Sequence, residues 1–370
     1  MELLNATPLL AAYTQGLAAD GRESLVVIAK GTFELPLDGS EARLAASQRP
    51  LLMADEYVGE PGLSAPAREM DFAPYKPFCD VLVHGKARAP GGQPVSRLTV
   101  GVRVGRVSKA FAVTGPRQWQ PGGLLGVRPG EPQPFVEQAI SYADAFGGCR
   151  RVDENPELSD ALPSNPCGQG WFPSRCGSGV IVGMPMPTSE ALNQPVEDPY
   201  GNYPPMSLGP IGRAWTPRIG FAGSYDEAWL DEHFPFLPPD FDERYFQAAP
   251  PDQQTEHLRG GEEVLLLNLT ARERAGFQVP RLRVPVTFFL AGGGRDTCEA
   301  TIDTLSIDTD AGLVEVTWRA RRPLRRNLFE VSQVLLGEKS RAWWRARELG
   351  KDYHPSLAHL SRSRAAQEDN

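Results

Sequence analysis

Histidine and cysteine are scarce in this chain. Five histidines stand at 84, 233, 257, 354 and 359, none of them four residues from another, so no helix face presents a pair of zinc ligands. Five cysteines, at 79, 149, 167, 176 and 298, are odd in number and form no C-x-x-C pair; inert thiols in a reducing compartment are expected. Positive charge is in deficit, 38 Lys and Arg against 46 Asp and Glu, and a net −8 disfavours nucleic acid as a partner. No apolar run approaches the roughly 20 residues that cross a bilayer. The opening Met1-Glu2-Leu3-Leu4-Asn5 lacks the basic start of a secretory signal, so a cytoplasmic protein with no membrane partner is expected. Phosphate-cradling patterns are missing as well: there is no G-x-x-x-x-G-K-[ST], and no G-x-G-x-x-G opening a helix after a strand. Gly177-Ser178-Gly179 lacks the spacers that flank the serine of a nucleophile elbow. Neither a cofactor nor a metal is expected.

What is abundant is glycine and proline, 37 and 35 in 370 residues, which excludes a mostly helical chain. At 41% hydrophobic and 23% charged the composition is globular. Period-two patterns rich in β-branched residues appear over 24–35, 79–89 and 95–114, and again over 262–269, 283–290, 300–308 and 313–319. Asp20-Gly21 and Asp310-Ala311-Gly312 are turn signals between such runs. In the second of these hairpins Val314, Val316 and Trp318 alternate with Glu315, Thr317 and Arg319, so the two sets face opposite ways. The expected fold class is mainly β, antiparallel and sandwich-like. It is divided into a β-rich half at 1–184, a connector at 185–254, a second β-rich half at 255–325, and a helix with a frayed tail at 326–370. Helices are expected over 226–233, over 240–247 and over 328–349, the last with Gly337 as a kink or break.

The connector holds 13 prolines between 185 and 251, and nine aromatics between Trp215 and Phe246. So many rings are expected to pack on both halves, which makes Trp229→Ala worth about 3 to 5 kcal/mol. Residues 225–243 carry seven acids and no Lys or Arg. Two of them at suitable separation would suit a glycosidic reaction, and the neighbouring Tyr225, Trp229 and Phe241 a sugar cleft or a sugar-binding β-sandwich. The simpler use of Asp226 and Asp240 is to cap helix starts. Residues 318–347 are the opposite, nine Lys and Arg against two Glu, with Trp343-Trp344 among them. This basic, aromatic helix is expected either to meet an acidic partner or to dock on its own chain; in the first case removal of residues from about 325 onward leaves a folded core. Asp71, Lys76 and Asp80, set around Pro74 and Pro77, are expected to be structural polar anchors.

Several blocks together resemble a bacterial family known as domain of unknown function 2169, found beside type VI secretion genes. They are Lys30-Gly31-Thr32-Phe33, the run from Asp71 and Phe72 through Lys76 to Asp80, and Asn165-Pro166-Cys167-Gly168-Gln169-Gly170. Then come Ser224-Tyr225-Asp226-Glu227-Ala228-Trp229-Leu230, Phe234-Pro235-Phe236 through Asp240 to Asp242, and the run from Ala248 to Asp252, Gln253 and Gln254. Cys167 stands where a small aliphatic residue is usual, and Ser224 where Thr is usual. The resemblance implies a non-catalytic cytoplasmic adaptor or chaperone. Such a protein binds a secreted effector and helps load it onto the spike, either the valine-glycine-repeat trimer or its PAAR-type tip. The motif residues, with Trp343 and Trp344, are then the candidate partner-binding positions.

Overall fold

The computed structural model describes residues 1–18, 20–123, 126–150 and 160–354, with 356, 358, 360 and 361. The rest of the tail expected over 361–370, and His359, lie outside the described residues.

Twelve residues, Glu23–Glu34, make a strand that is buried along almost its whole length. The sheet built around it has the order Gln254–Thr255, Cys79–His84, Thr301–Asp308, Leu313–Pro323, Glu23–Glu34, Leu10–Leu17, and Arg43–Leu44 also pairs with Glu23–Glu34. Both turn signals close hairpins in this sheet. Gly21 takes φ 77° while the Arg22 N–H donates to Asp20 Oδ1 at 3.1 Å. Gly312 takes φ 67°, and the Ala311 N–H donates to Asp308 Oδ1 at 2.9 Å. Positive φ is the reason glycine holds both places.

A second sheet runs Ser189–Glu190, Val107–Thr114, Arg97–Val104, Glu263–Leu267, Arg274–Gln278, and a third runs Glu2–Asn5, Val331–Leu336, Pro285–Leu290, Arg295–Glu299. The molecule is mainly β, with mostly antiparallel sheets and few helices, one of them near the C-terminus. Val81, Leu305 and Trp318 of the first sheet, Val100, Phe111 and Phe277 of the second, and Phe288 and Val334 of the third belong to one continuous core.

The sequence halves at 1–184 and 255–325 do not each keep a sheet of their own. Leu313–Pro323 pairs antiparallel with Glu23–Glu34, from Leu313 opposite Glu34 to Pro323 opposite Ser24. Thr301–Asp308 lies parallel to Cys79–His84, and Glu263–Leu267 lies antiparallel to Arg97–Val104. The physical reason is edge satisfaction: each half alone leaves long apolar strands with unpaired N–H and C=O groups, and the other half supplies the neighbours.

One local expectation is corrected. Residues 328–349 are not one helix: Val331–Leu336 is a strand between Glu2–Asn5 and Pro285–Leu290, Gly337 follows at φ 86°, and only Arg341–Glu348 is helical. Short apolar runs fit either period, and burial of Val331, Val334 and Leu336 in the core settles the choice. The second hairpin is the strand pair expected, and its polar face is covered as well as its apolar one. Glu315, Thr317 and Arg319 are as buried as Val314 and Val316, because the irregular stretch 45–76 lies over that side of the sheet.

Candidate interaction surface

The family-motif residues fall into two sets, one sealed under the covering segments and one on the surface. In the first, Asp80 is fully buried and its carboxylate takes four donors: Lys76 Nζ at 2.7 Å, Gln247 Nε2 at 2.6 Å, and the backbone N–H groups of Ala248 and Ala249 at 2.8 and 3.2 Å. Lys76 Nζ also donates to Thr304 Oγ1 at 3.1 Å. Burial works against the Lys76 charge, but the attraction of Asp80, then of Asp303 and Glu69, outweighs it and raises the pKa. A neighbouring lysine, Lys30, bridges Asp71 at 3.0 Å and Glu315 at 2.7 Å, and Arg319 pairs with Asp303 while donating to the carbonyls of Asp71 and Ala73. Phe72 is half-buried beside them. Lys30, Asp71, Lys76, Thr304 and Glu315 line a cavity of about 40 Å³, room for roughly a water or two. Asp71, Lys76 and Asp80 thus act as anchors that tie the loop at 71–80 and the connector at 247–249 to the sheet.

Asn165 is fully buried and donates through Nδ2 to the carbonyls of Tyr142 and Phe146, at 2.7 and 3.1 Å. A Cβ on Gly168 would lie 2.4 Å from that Nδ2, and one on Gly170, which has φ 88°, would lie 2.4 Å from Pro187 Cδ. The 165–170 motif is therefore a packing device. Gln253 spans two sheets: Nε2 donates to the carbonyls of Val81 and Leu208, at 2.8 and 2.9 Å, and Oε1 accepts from Lys109 at 2.9 Å. Lys109, buried except for its pairing with Asp252 at 3.0 Å, has its pKa lowered by burial.

The surface set is the loop from Ser224 to Asp240. Its ends meet where the Ser224 N–H and Oγ donate to the Asp240 carboxylate at 2.9 and 2.8 Å; these bonds, the backbone one first, lower the Asp240 pKa. Asp226 caps the helix Glu227–Glu232 by accepting from the Trp229 N–H at 2.9 Å, as the sequence suggests. The next turn is capped by Asp242 rather than by the expected Asp240, which Ser224 already engages: Asp242 accepts from the Arg244 N–H at 2.8 Å, and its pairing with the Arg244 side chain lowers its pKa. The rings pack on one another: Tyr225 and Trp229 meet edge to face at 4.8 Å, Trp229 and Phe234 at 5.7 Å, and Trp229 Nε1 donates to the Phe236 carbonyl at 2.9 Å.

This corrects the expectation that the connector buries its rings on both halves. Its ends do so, through Ala248, Ala249 and Gln253, but Tyr225 is 55% exposed, Leu230 58%, Phe234 63% and Phe236 47%. Trp229 is half-buried within the loop. The loop is held from below rather than from around. Arg218, buried, pairs with Glu69 and donates to the Tyr245 carbonyl at 2.8 Å, and Phe236 rests by the turn at Gly21.

Trp343 and Trp344 lie on their own sheet instead. Both rings pack on Phe289, with centroids 6.5 and 5.8 Å away; Arg295 covers Trp344 at 4.4 Å and Arg347 covers Phe289 at 3.7 Å. Of the basic segment 318–347, Arg321 pairs with Glu243 of the acidic stretch at 2.6 Å, while the helix Arg341–Glu348 makes no hydrogen bond, ion pair or ring contact with the loop 224–240 among the described residues. The sequence missed Lys30, Glu315, Asp303, Arg319 and Lys109 as members of the buried network. The available signal was a lysine in the middle of the apolar run at 24–35. No group of three or more His, Cys, Asp or Glu among the described residues is placed to hold a metal ion, and no helix among them is long and apolar enough to cross a membrane.

Residues 20–319 match the model of a family described as "Uncharacterized protein conserved in bacteria (DUF2169)". No curated protein and no solved structure matches the chain.

Proposed function

The chain belongs to the DUF2169 family, and from that premise we propose that it is a non-catalytic cytoplasmic adaptor of a type VI secretion system. It binds a secreted effector and helps load it onto the valine-glycine-repeat spike or its PAAR-type tip. The observation that carries the reading is the loop 224–240: four large apolar side chains held open to water on a self-packed frame. A monomer gains nothing from exposing such a cluster, whereas a partner that covers it gains aromatic anchors already fixed in place. The small, ion-paired cavity around Lys76 supports the same reading, since it offers a substrate no room. The sugar-cleft alternative loses support because Asp226, Asp240 and Asp242 are engaged by backbone N–H groups, Ser224 and Arg244.

The test is isolation of the tagged full chain from its native cell, with identification of what accompanies it. A secreted effector or spike component is expected with the native sequence and is depleted with a Tyr225→Ser/Phe234→Ser variant. Recovery of neither kind of protein overturns the proposal.

A further inference from the structure

We propose that the loop 224–240 takes a basic, amphipathic segment of its client, one in which apolar side chains are flanked by Lys or Arg. The inference rests on the adaptor reading and specifies the chemistry of its partner. Three observations carry it. Tyr225, Leu230, Phe234 and Phe236 are exposed on one short loop, an apolar area that none of the other described residues covers. Around them Asp226, Glu227, Asp231 and Glu232 are also exposed, and from 225 to 243 no residue is Lys or Arg. Asp226 retains its helix-capping bond, while Glu227, Asp231 and Glu232 have no basic side chain beside them on the loop.

Unneutralised acids around an apolar patch repel an acidic partner, give a neutral one no steering, and attract a cationic one, so the rim sets encounter rate and partner choice while the rings supply affinity. Of the chain's own basic segment, Arg321 pairs with Glu243, beyond the end of the loop, while Arg347 lies over Phe289 and Arg322 pairs with Asp296 and Glu330, so the acids at 226–232 are left to a partner. The loop is already ordered by the Asp240–Ser224 closure and the Trp229–Phe236 bond, so a partner meets fixed anchors and pays little ordering entropy.

The experiment places a photo-crosslinking phenylalanine analogue at position 234 of the full chain in its native cell, and at Phe329, which is 86% exposed, as a second position. Each adduct is isolated and its crosslinked segment sequenced by mass spectrometry. An adduct at 234 to a segment with apolar residues and a net positive charge is expected. An adduct to an acidic or uncharged polar segment overturns the inference, and so does the absence of an adduct at 234 when 329 gives one. If neither position gives an adduct, the loop is not covered in the cell and the inference also fails. A second variant, Asp231→Lys/Glu232→Lys, is expected to weaken capture of the crosslinked partner at least tenfold with an unchanged circular dichroism spectrum; unchanged capture overturns the role of charge. The readouts separate the two proposals. A basic segment from a protein that is neither effector nor spike keeps the charge assignment and removes the secretion role.

Discussion

Around Asp80 four donors converge on a carboxylate that water does not reach, and in the loop 224–240 five acids and four large apolar side chains share a surface open to water. Both regions mix charge with apolar groups, and both carry blocks by which the chain resembles its family. The difference is where each charge finds its partner. In the interior every ion is met: Lys76 by Asp80, Lys30 by Asp71 and Glu315, Arg319 by Asp303. On the loop the acids bind backbone N–H groups and Ser224 or face solvent, and the rings pack mainly on one another, with Phe236 beside the turn at Gly21. Buried charge must be compensated within the fold, so the first region specifies how covering segments sit on the sheet. Exposed charge carries no such demand, which leaves the second region free to be selected for something outside the chain.

The largest effect that would break this contrast is truncation. Because Val331–Leu336 is an interior strand of the third sheet, removing residues from 325 onward is expected to abolish cooperative unfolding, where the sequence alone allowed a folded core. Circular dichroism melting checks it, and a cooperative transition in the truncated chain would show the third sheet to be dispensable. Replacement of residues 226–238 by a short Gly-Ser bridge is expected to leave the transition intact.

Next in size is Asp80→Ala, which leaves Lys76 buried without its closest anion and strands three other donors. The expected loss is about 3 to 5 kcal/mol by urea unfolding. A loss under about 1 kcal/mol would put the Asp80 cluster on the same footing as the surface acids.

The third effect depends on pH. His84 lies at the cavity, where burial, followed by the charge of Arg68, lowers its pKa to about 4. Between pH 6.5 and 4 the unfolded chain takes up a proton that the folded chain refuses, so stability falls as pH falls through that window. The contribution is at most about 3 kcal/mol, and less to the extent that the half-buried ring keeps contact with water. Glu315, whose pairing with Lys30 and Arg49 overcomes burial and lowers its pKa, loses its contribution in the same direction as pH falls through its folded pKa. The stability of His84→Gln, measured by urea titration at pH 5 and pH 7, is expected to change less between the two than that of the native chain; an equal change would remove the histidine from the account.

The smallest effects belong to the loop. Phe234→Ser is expected to move stability by less than about 0.5 kcal/mol while depleting the partner, and Trp229→Ala to cost about 1 to 2 kcal/mol rather than the core-sized figure that ring density implied. A Trp229→Ala loss of about 4 kcal/mol would mean that the loop is core after all.

Much of the strand content was legible. The period-two runs at 24–35, 262–269, 300–308 and 313–319 correspond to strands displaced by no more than a few residues, and the turns at Gly21 and Gly312 were marked by Asp-Gly chemistry. The cap at Asp226 is a local hydrogen bond, three residues long in sequence, and so was legible, whereas the second cap falls at Asp242 and not at Asp240, because Ser224, sixteen residues away, takes the Asp240 carboxylate. The run 331–336 fits a strand as well as a helix, because six residues, Val-Ser-Gln-Val-Leu-Leu, are too few to carry a decisive period.

What the sequence by itself determined, then, is what depends on near neighbours: the β-rich class, the hairpin turns, the capping acids, and the sign of charge on each segment. What only the tertiary structure decided is which strands pair across the chain, which polar side chains go inside, and which aromatics stay out. The pairing of Glu23–Glu34 with Leu313–Pro323 joins residues nearly three hundred positions apart, and no local pattern encodes that meeting. Glu315 and Arg319 have the alternation of a solvated face, and only the segment laid over them makes them buried ions. Tyr225, Phe234 and Phe236 have the composition of a core, and only the lack of any surface to cover them leaves them in water.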